Sequence, residues 1–179
     1  MRMMGTRKAR AVAGVCVMAS LLSTGLVLAA GNIDSTDKYA WAENSGWQNW
    51  NPTHGGVTVT PDGANGYLEG FAWAENIGFI KLGGGSGPYA NDAANTYGVN
   101  MDASGNLSGY AWSSQTGWVN FNSTHSQVTV NTTTGALDGY AWGENIGWIH
   151  FKGSSPAYNV RSTTFDGPSE PMGTIFKFH

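Results

Sequence analysis

The sequence predicts an all-β protein built from about four stacked hairpin repeats in a single solenoid-like or sandwich-like domain. Three observations predict it. An aromatic motif recurs four times; glycine and tryptophan are abundant while long helix-forming runs are absent; and the segments between motifs alternate apolar and polar residues between turn formers. A disordered chain would lack the aromatics, and a helical bundle would lack the glycines.

The first 30 residues differ from the rest. Arg2, Arg7, Lys8 and Arg10 precede an apolar run from Ala11 to Ala30 that ends in small residues, the pattern of a secretory signal peptide. Residues 31–179 are then the folded part, with an extracytoplasmic destination (secreted, cell surface or periplasmic) and no further membrane span. Four of the nine basic residues lie in the leader, which leaves five against twelve acids and a net charge near −7. That balance argues against nucleic acid and anionic membrane surfaces as partners. Cys16, the single cysteine, also lies in the leader, so no disulfide is expected.

The motif reads Ala40-Trp-Ala-Glu-Asn-Ser-Gly-Trp47, then Ala72 to Phe79, Ala111 to Trp118 and Ala141 to Trp148. Residues 39–59 match 110–130 at 12 of 21 positions, and 66–80 match 135–149 at 10 of 15. Duplication of a two-motif unit accounts for this, with unit one over about 39–109, unit two over about 110–161 and a capping tail over 162–179. The Gly-rich stretch Gly83 to Pro88 joins the units.

Each repeat is expected to hold three short strands. Val57-Thr-Val59, Val99-Asn-Met101 and Val128-Thr-Val130 alternate as half-buried strands do. A turn opened by Asp62, Asp102 or Asn131 follows, and then a strand through Leu68, Leu107 or Leu137 into the aromatic-Ala-Trp triplet. The Glu-Asn-x-Gly turn reverses the chain, with glycine taking the left-handed conformation. The repetition of the tryptophans suggests a buried ladder holding most of the eight, with those beside the turns partly exposed. Tyr158-Asn-Val160 looks like the start of a fifth repeat, and Thr174 to Phe178 like a last strand. A four-bladed propeller and a small outer-membrane barrel rank behind the stack: blades need more residues, and membrane-spanning strands run about 9–11 residues against the 4–7 expected here.

The run Gly139-Tyr-Ala-Trp-Gly-Glu-Asn-Ile-Gly-Trp-Ile149 resembles a repeat of exported bacterial proteins that carry tandem aromatic hairpin segments, mostly of unknown function. The resemblance covers about residues 39–151 and implies a cell-surface setting. It brings no catalytic residues. Ser114-Gln115 of the third motif departs from the Glu-Asn pattern.

The candidate ligand-binding residues are Trp41, Glu43, Asn44, Trp73, Glu75, Asn76, Trp112, Trp142, Glu144 and Asn145. An acid and an amide beside an indole suit a sugar: hydrogen bonds to hydroxyls and a ring face to stack on. Turn formation explains the same Glu-Asn pairs. An enzyme is not expected, because carboxylates at equivalent repeat positions share one environment, whereas glycoside hydrolysis needs two different ones. No cofactor or metal is expected; His54 and His125 fall in surface loops, and no zinc or calcium spacing occurs. The function expected is therefore a non-enzymatic binding module for carbohydrate or a cell-envelope component. The alternative is a self-assembling protein whose strand edges join copies into fibres or a surface layer.

Overall fold

The computed structural model describes residues 31–166. The leader, and the strand expected at Thr174 to Phe178, lie outside the described residues. The strands in chain order are β1 (Ile33–Ala42), β2 (Gly46–Asn49), β3 (Gly56–Thr60), β4 (Gly66–Ala74), β5 (Gly78–Lys81), β6 (Val99–Met101) and β7 (Leu107–Ser113), followed by β8 (Gly117–Asn120), β9 (Asn122–Ser123), β10 (Ser126–Val130), β11 (Leu137–Gly143), β12 (Gly147–His150), β13 (Lys152–Ser154) and β14 (Ala157–Ser162).

The expected stack is not what forms. Each motif makes one antiparallel hairpin, β1–β2, β4–β5, β7–β8 or β11–β12, and each hairpin pairs with the next until β12 returns to β1. The product is a closed eight-stranded antiparallel barrel. Neighbouring hairpins pair edge to edge, so a fourth hairpin beside the first leaves nothing to stack. A closed ring satisfies every ladder that an open stack would expose.

Below the hairpins the same meander continues. Along β4, β2 pairs with the upper end (Gln48↔Ala74) and β3 with the lower (Thr60↔Tyr67), as one interrupted strand. On its other side β5 and then β6 do the same. β10 lies along β11, and β14 along β1. The supposed fifth repeat, Tyr158 to Val160, is thus the strand that the first motif lacks. Asn32 closes the lower seam by imitating a peptide: Val59 N–H donates to its Oδ1 at 2.7 Å and its Nδ2 donates to Val59 O at 2.7 Å.

The core runs down the barrel axis in layers. Near the hairpin tips it is made of Ala40, Ala42, Ala72, Ala74, Ala111 and Ala141 from the long strands, facing Ile80, Val119 and Ile149 from the returning ones. Alternating small and large residues fill the narrow bore of an eight-stranded barrel. At mid-height Trp50, Leu82, Phe121 and Phe151 are buried, one from each returning strand. Trp50 meets Phe151 and Phe121 with ring centroids 5.0 and 6.2 Å apart. Below them lie Ile33, Val57, Val59, Leu68, Val99, Met101, Leu107, Val128, Val130, Leu137 and Val160.

This arrangement reverses the expected inside and outside. Of the eight tryptophans only Trp50 is fully buried; Trp47 is half-buried and the other six are 37–43% exposed. Alternation along the strand permits either face inward. Closure decides it, because the bore takes the alanines and has no room for a ring of indoles.

Glycine is required where the long strands kink between their upper and lower partners. Gly139 has φ +91°, and a Cβ there would lie 2.1 Å from Gln127 O. At the tips, Ile146 N–H donates to Gly143 O at 3.2 Å and Gly147 follows with φ +71°, a β-turn closed by a left-handed residue.

Candidate functional site

With alanines inside, the aromatic residues of each motif gather outside as a cluster of three. They are Tyr39/Trp41/Trp47, Phe71/Trp73/Phe79, Tyr110/Trp112/Trp118 and Tyr140/Trp142/Trp148. In each, the aromatic after the turn lies between the two before it, with centroids 4.6–6.3 Å apart and rings mostly edge to face. Such contacts fix ring orientation without covering the outward surface.

Each returning strand leaves the barrel wall at mid-height and comes back, and these excursions flank the clusters. The loop after β5 brings Tyr97 against Trp118 at 4.9 Å. The β13–β14 hairpin brings Tyr158 against Trp47 at 5.1 Å. Gly55, in the loop after β2, packs on Phe71. The β9–β10 turn places His125 and Ser126 beside Tyr140 and Trp148.

Clefts result where excursion and cluster meet. One, about 460 Å³, is lined by Asn91, Asp92, Ala93, Ala94, Tyr97, Tyr110 and Trp118. Burial pushes the Tyr97 hydroxyl above its ordinary pKa. A second, about 410 Å³, is lined by Asn120, Ser123, Thr124, His125, Trp142 and Trp148, with a smaller one of about 240 Å³ adjoining it. Next to these, His150 stacks on Tyr140 at 4.2 Å, nearly parallel, and its Nδ1 hydrogen-bonds the Tyr158 hydroxyl at 2.9 Å. Burial lowers the His150 pKa and so favours the neutral imidazole, against the smaller opposing pull of the Asp138 carboxylate.

The ten residues expected to bind are brought only partly together. Trp41, Trp73, Trp112 and Trp142 all face outward, and of the ten Trp142 lines one of these clefts. The Glu-Asn pairs sit apart from them on the tips, exposed. Two of the asparagines hold neighbouring turns: Asn44 Nδ2 donates to Ile146 O at 3.4 Å, and Asn145 Nδ2 to Thr116 O at 2.8 Å. Asn76 joins the same ring through its backbone N–H to Ser45 O at 3.3 Å, and Glu75 Oε2 accepts from Trp47 N–H at 3.4 Å. These turns clasp the mouth of the barrel.

Sequence reasoning missed Asn91, Asp92, Tyr97, Ser123 and Ser126 as lining residues, and weighed His125 only as a metal ligand. The signal available for the first three was the longer spacing between the second and third motifs, 39 residues against 32 and 30. Among the described residues no group of three or more His, Cys, Asp or Glu converges as a metal site. Nor is any helix long and apolar enough to cross a membrane. No family model, curated protein or solved structure matches the chain.

Proposed function

We propose that this chain is a non-enzymatic binding module of the cell surface or extracytoplasmic space, and that its ligand is carbohydrate. The observation that carries the reading is the belt of ten aromatic side chains, 37–43% exposed, clustered beside clefts with polar rims. Half-exposed rings cost solvation, and monomeric proteins rarely gather them in patches without a partner to cover them. Rings that offer both apolar surface and a polar rim match the apolar faces and hydroxyl edges of sugars.

The lower outer wall is different in kind. Thr58, Thr60, Asn100, Ser108, Thr129 and Asp138 point away from the core there, which makes a poor lipid-facing surface. Among the described residues the barrel strands close on one another and the sheet ends on the short β9 and β13, which weighs against polymerisation by strand addition. The resemblance of the motif to that of exported tandem aromatic-hairpin proteins agrees with this reading and with the leader expected at 1–30.

The test is titration of residues 31–179 with a panel of neutral, amino and acidic glycans, followed by tryptophan fluorescence and calorimetry. Saturable binding with altered indole emission is expected. Absence of binding across the panel, together with regular polymers in negative-stain micrographs, would replace this function with assembly.

A further inference from the structure

The four clusters share one backbone plan, so differences between them come from what the excursions place alongside. The second cluster, Phe71/Trp73/Phe79, is hydrocarbon apart from one indole N–H. The third is flanked by the longest excursion, between Lys81 and Val99, and that loop is held firmly. Tyr89 N–H donates to Asn100 Oδ1 at 2.8 Å and Asn100 Nδ2 to Tyr89 O at 2.7 Å. Gly98 N–H donates to Asn91 Oδ1 at 3.0 Å, and Asn91 N–H to Thr96 O at 3.0 Å. Asn91 is left-handed, φ 56°, the one such non-glycine among the described residues.

We propose that the cleft between this loop and the third cluster is a discrete subsite for a neutral pyranose residue of a glycan chain. Trp118 and Tyr110 form its apolar wall, and the Asp92 carboxylate accepts hydroxyl hydrogens at its rim. The proposal rests on the carbohydrate-binding function above and assigns it a place and a sugar class.

Three features select that class. The volume, about 460 Å³, falls in the lower part of the 300–1,000 Å³ range of small-ligand sites, too small for a partner's helix or strand. The walls combine exposed ring surface with a carboxylate: Thr96 Oγ1 donates to Asp92 Oδ1 at 2.6 Å, which orients the group and leaves Oδ2 to accept from ligand hydroxyls. No Lys or Arg lines the cleft, so phosphates and uronic acids would meet Asp92 without a counter-charge. Because the loop is already braced, little ordering accompanies binding.

The experiment is calorimetric titration of the 31–179 chain with cellohexaose, laminarihexaose, mannohexaose and hexagalacturonate, and with tetramethylammonium chloride as a probe for an aromatic cation cage. Variants are Trp118→Ala, Ala94→Trp to fill the cleft from its exposed loop, and Thr133→Ala on a distant turn. A neutral hexasaccharide is expected to bind saturably, at least tenfold more weakly to Trp118→Ala and Ala94→Trp, and unchanged to Thr133→Ala. Should Trp118→Ala unfold, Ala94→Trp alone decides. Binding that survives both cleft variants would overturn the subsite while leaving the carbohydrate function standing. Hexagalacturonate or tetramethylammonium binding lost in the cleft variants, without neutral-sugar binding, would overturn the sugar class. Failure of every saccharide to bind the unaltered chain would remove the broader function as well.

Discussion

Replacing Phe151 with alanine should damage this protein far more than replacing Trp148, three residues earlier and larger. Phe151 is 0% exposed and packs on Trp50 and Phe121 with centroids 5.0 and 5.9 Å away. Deleting a fully buried phenylalanine costs about 3–5 kcal/mol, cavity included. Trp148 is 40% exposed and loses chiefly its contacts with Trp142 and Tyr140, at 4.7 and 6.2 Å. Cross-strand aromatic pairs of that kind are worth about 0.5–1.5 kcal/mol each, so Trp148→Ala should cost about 1–2 kcal/mol. Phe151→Leu, the residue type found at the matching position Leu82, should cost about 1–2 kcal/mol and keep the domain folded for comparison. Urea unfolding followed by far-ultraviolet circular dichroism gives all three numbers. A Trp148→Ala cost equal to or above that of Phe151→Ala would refute the inside-out placement of the aromatics.

Three other outcomes follow from particular sites. Gly139→Ala should destabilise by about 3 kcal/mol or more, combining the left-handed backbone penalty with a clash on Gln127 O, whereas Gly147→Ala, whose nearest atom is 3.6 Å away, should cost about 1–2 kcal/mol in the same assay. The Asp34 carboxyl is held well below the usual carboxylate range by the N–H groups of Asp37 and Thr36, the Thr36 hydroxyl and the Arg161 guanidinium. Its ionised form therefore adds stability above the unfolded value of about 4, lost as pH falls toward the folded one; the gap in urea midpoint between wild type and Asp34→Asn should narrow from pH 5 to pH 2. Burial, with smaller effects from Glu69 and neighbouring tyrosines, pushes Tyr89 up to about 12, and its hydroxyl donates to Leu68 O at 3.1 Å. That stability is complete below pH 10 and lost as pH rises through 12, so Tyr89→Phe should remove the latest step of the tyrosinate absorbance titration, at a neutral-pH cost of about 1 kcal/mol.

The hairpins were legible in the sequence because their cause is local. Parity places Tyr140 and Trp142 on one face, and Glu-Asn-Ile-Gly makes the turn, whatever the neighbours do. Which face turns inward was not legible, since it depends on closure, a property of four hairpins together. One sign was present all the same: an apolar residue stands three positions after each returning aromatic, at Trp50, Leu82, Phe121 and Phe151, and these four fill the centre. The clefts were hidden for a related reason. They arise between a cluster and the excursion of a preceding repeat, so their residues, such as Asp92 and Trp118, share no motif.

The join between the two ends of the sheet bears on how the chain folds. Among the described strands β1 comes first, yet its partners β12 and β14 come at the far end, and the Arg161–Asp34 ion pair spans 127 positions at 2.6 Å. Loop closure on that scale is an entropic cost met before native contacts reward it, which puts the protein among slow, high-contact-order folders. A chain that lacked β12 would hold three hairpins in an arc, with β1 and β11 each missing a partner, a template for aggregation. Docking of the last hairpin on β1 is therefore the step that turns an open sheet into a protected one.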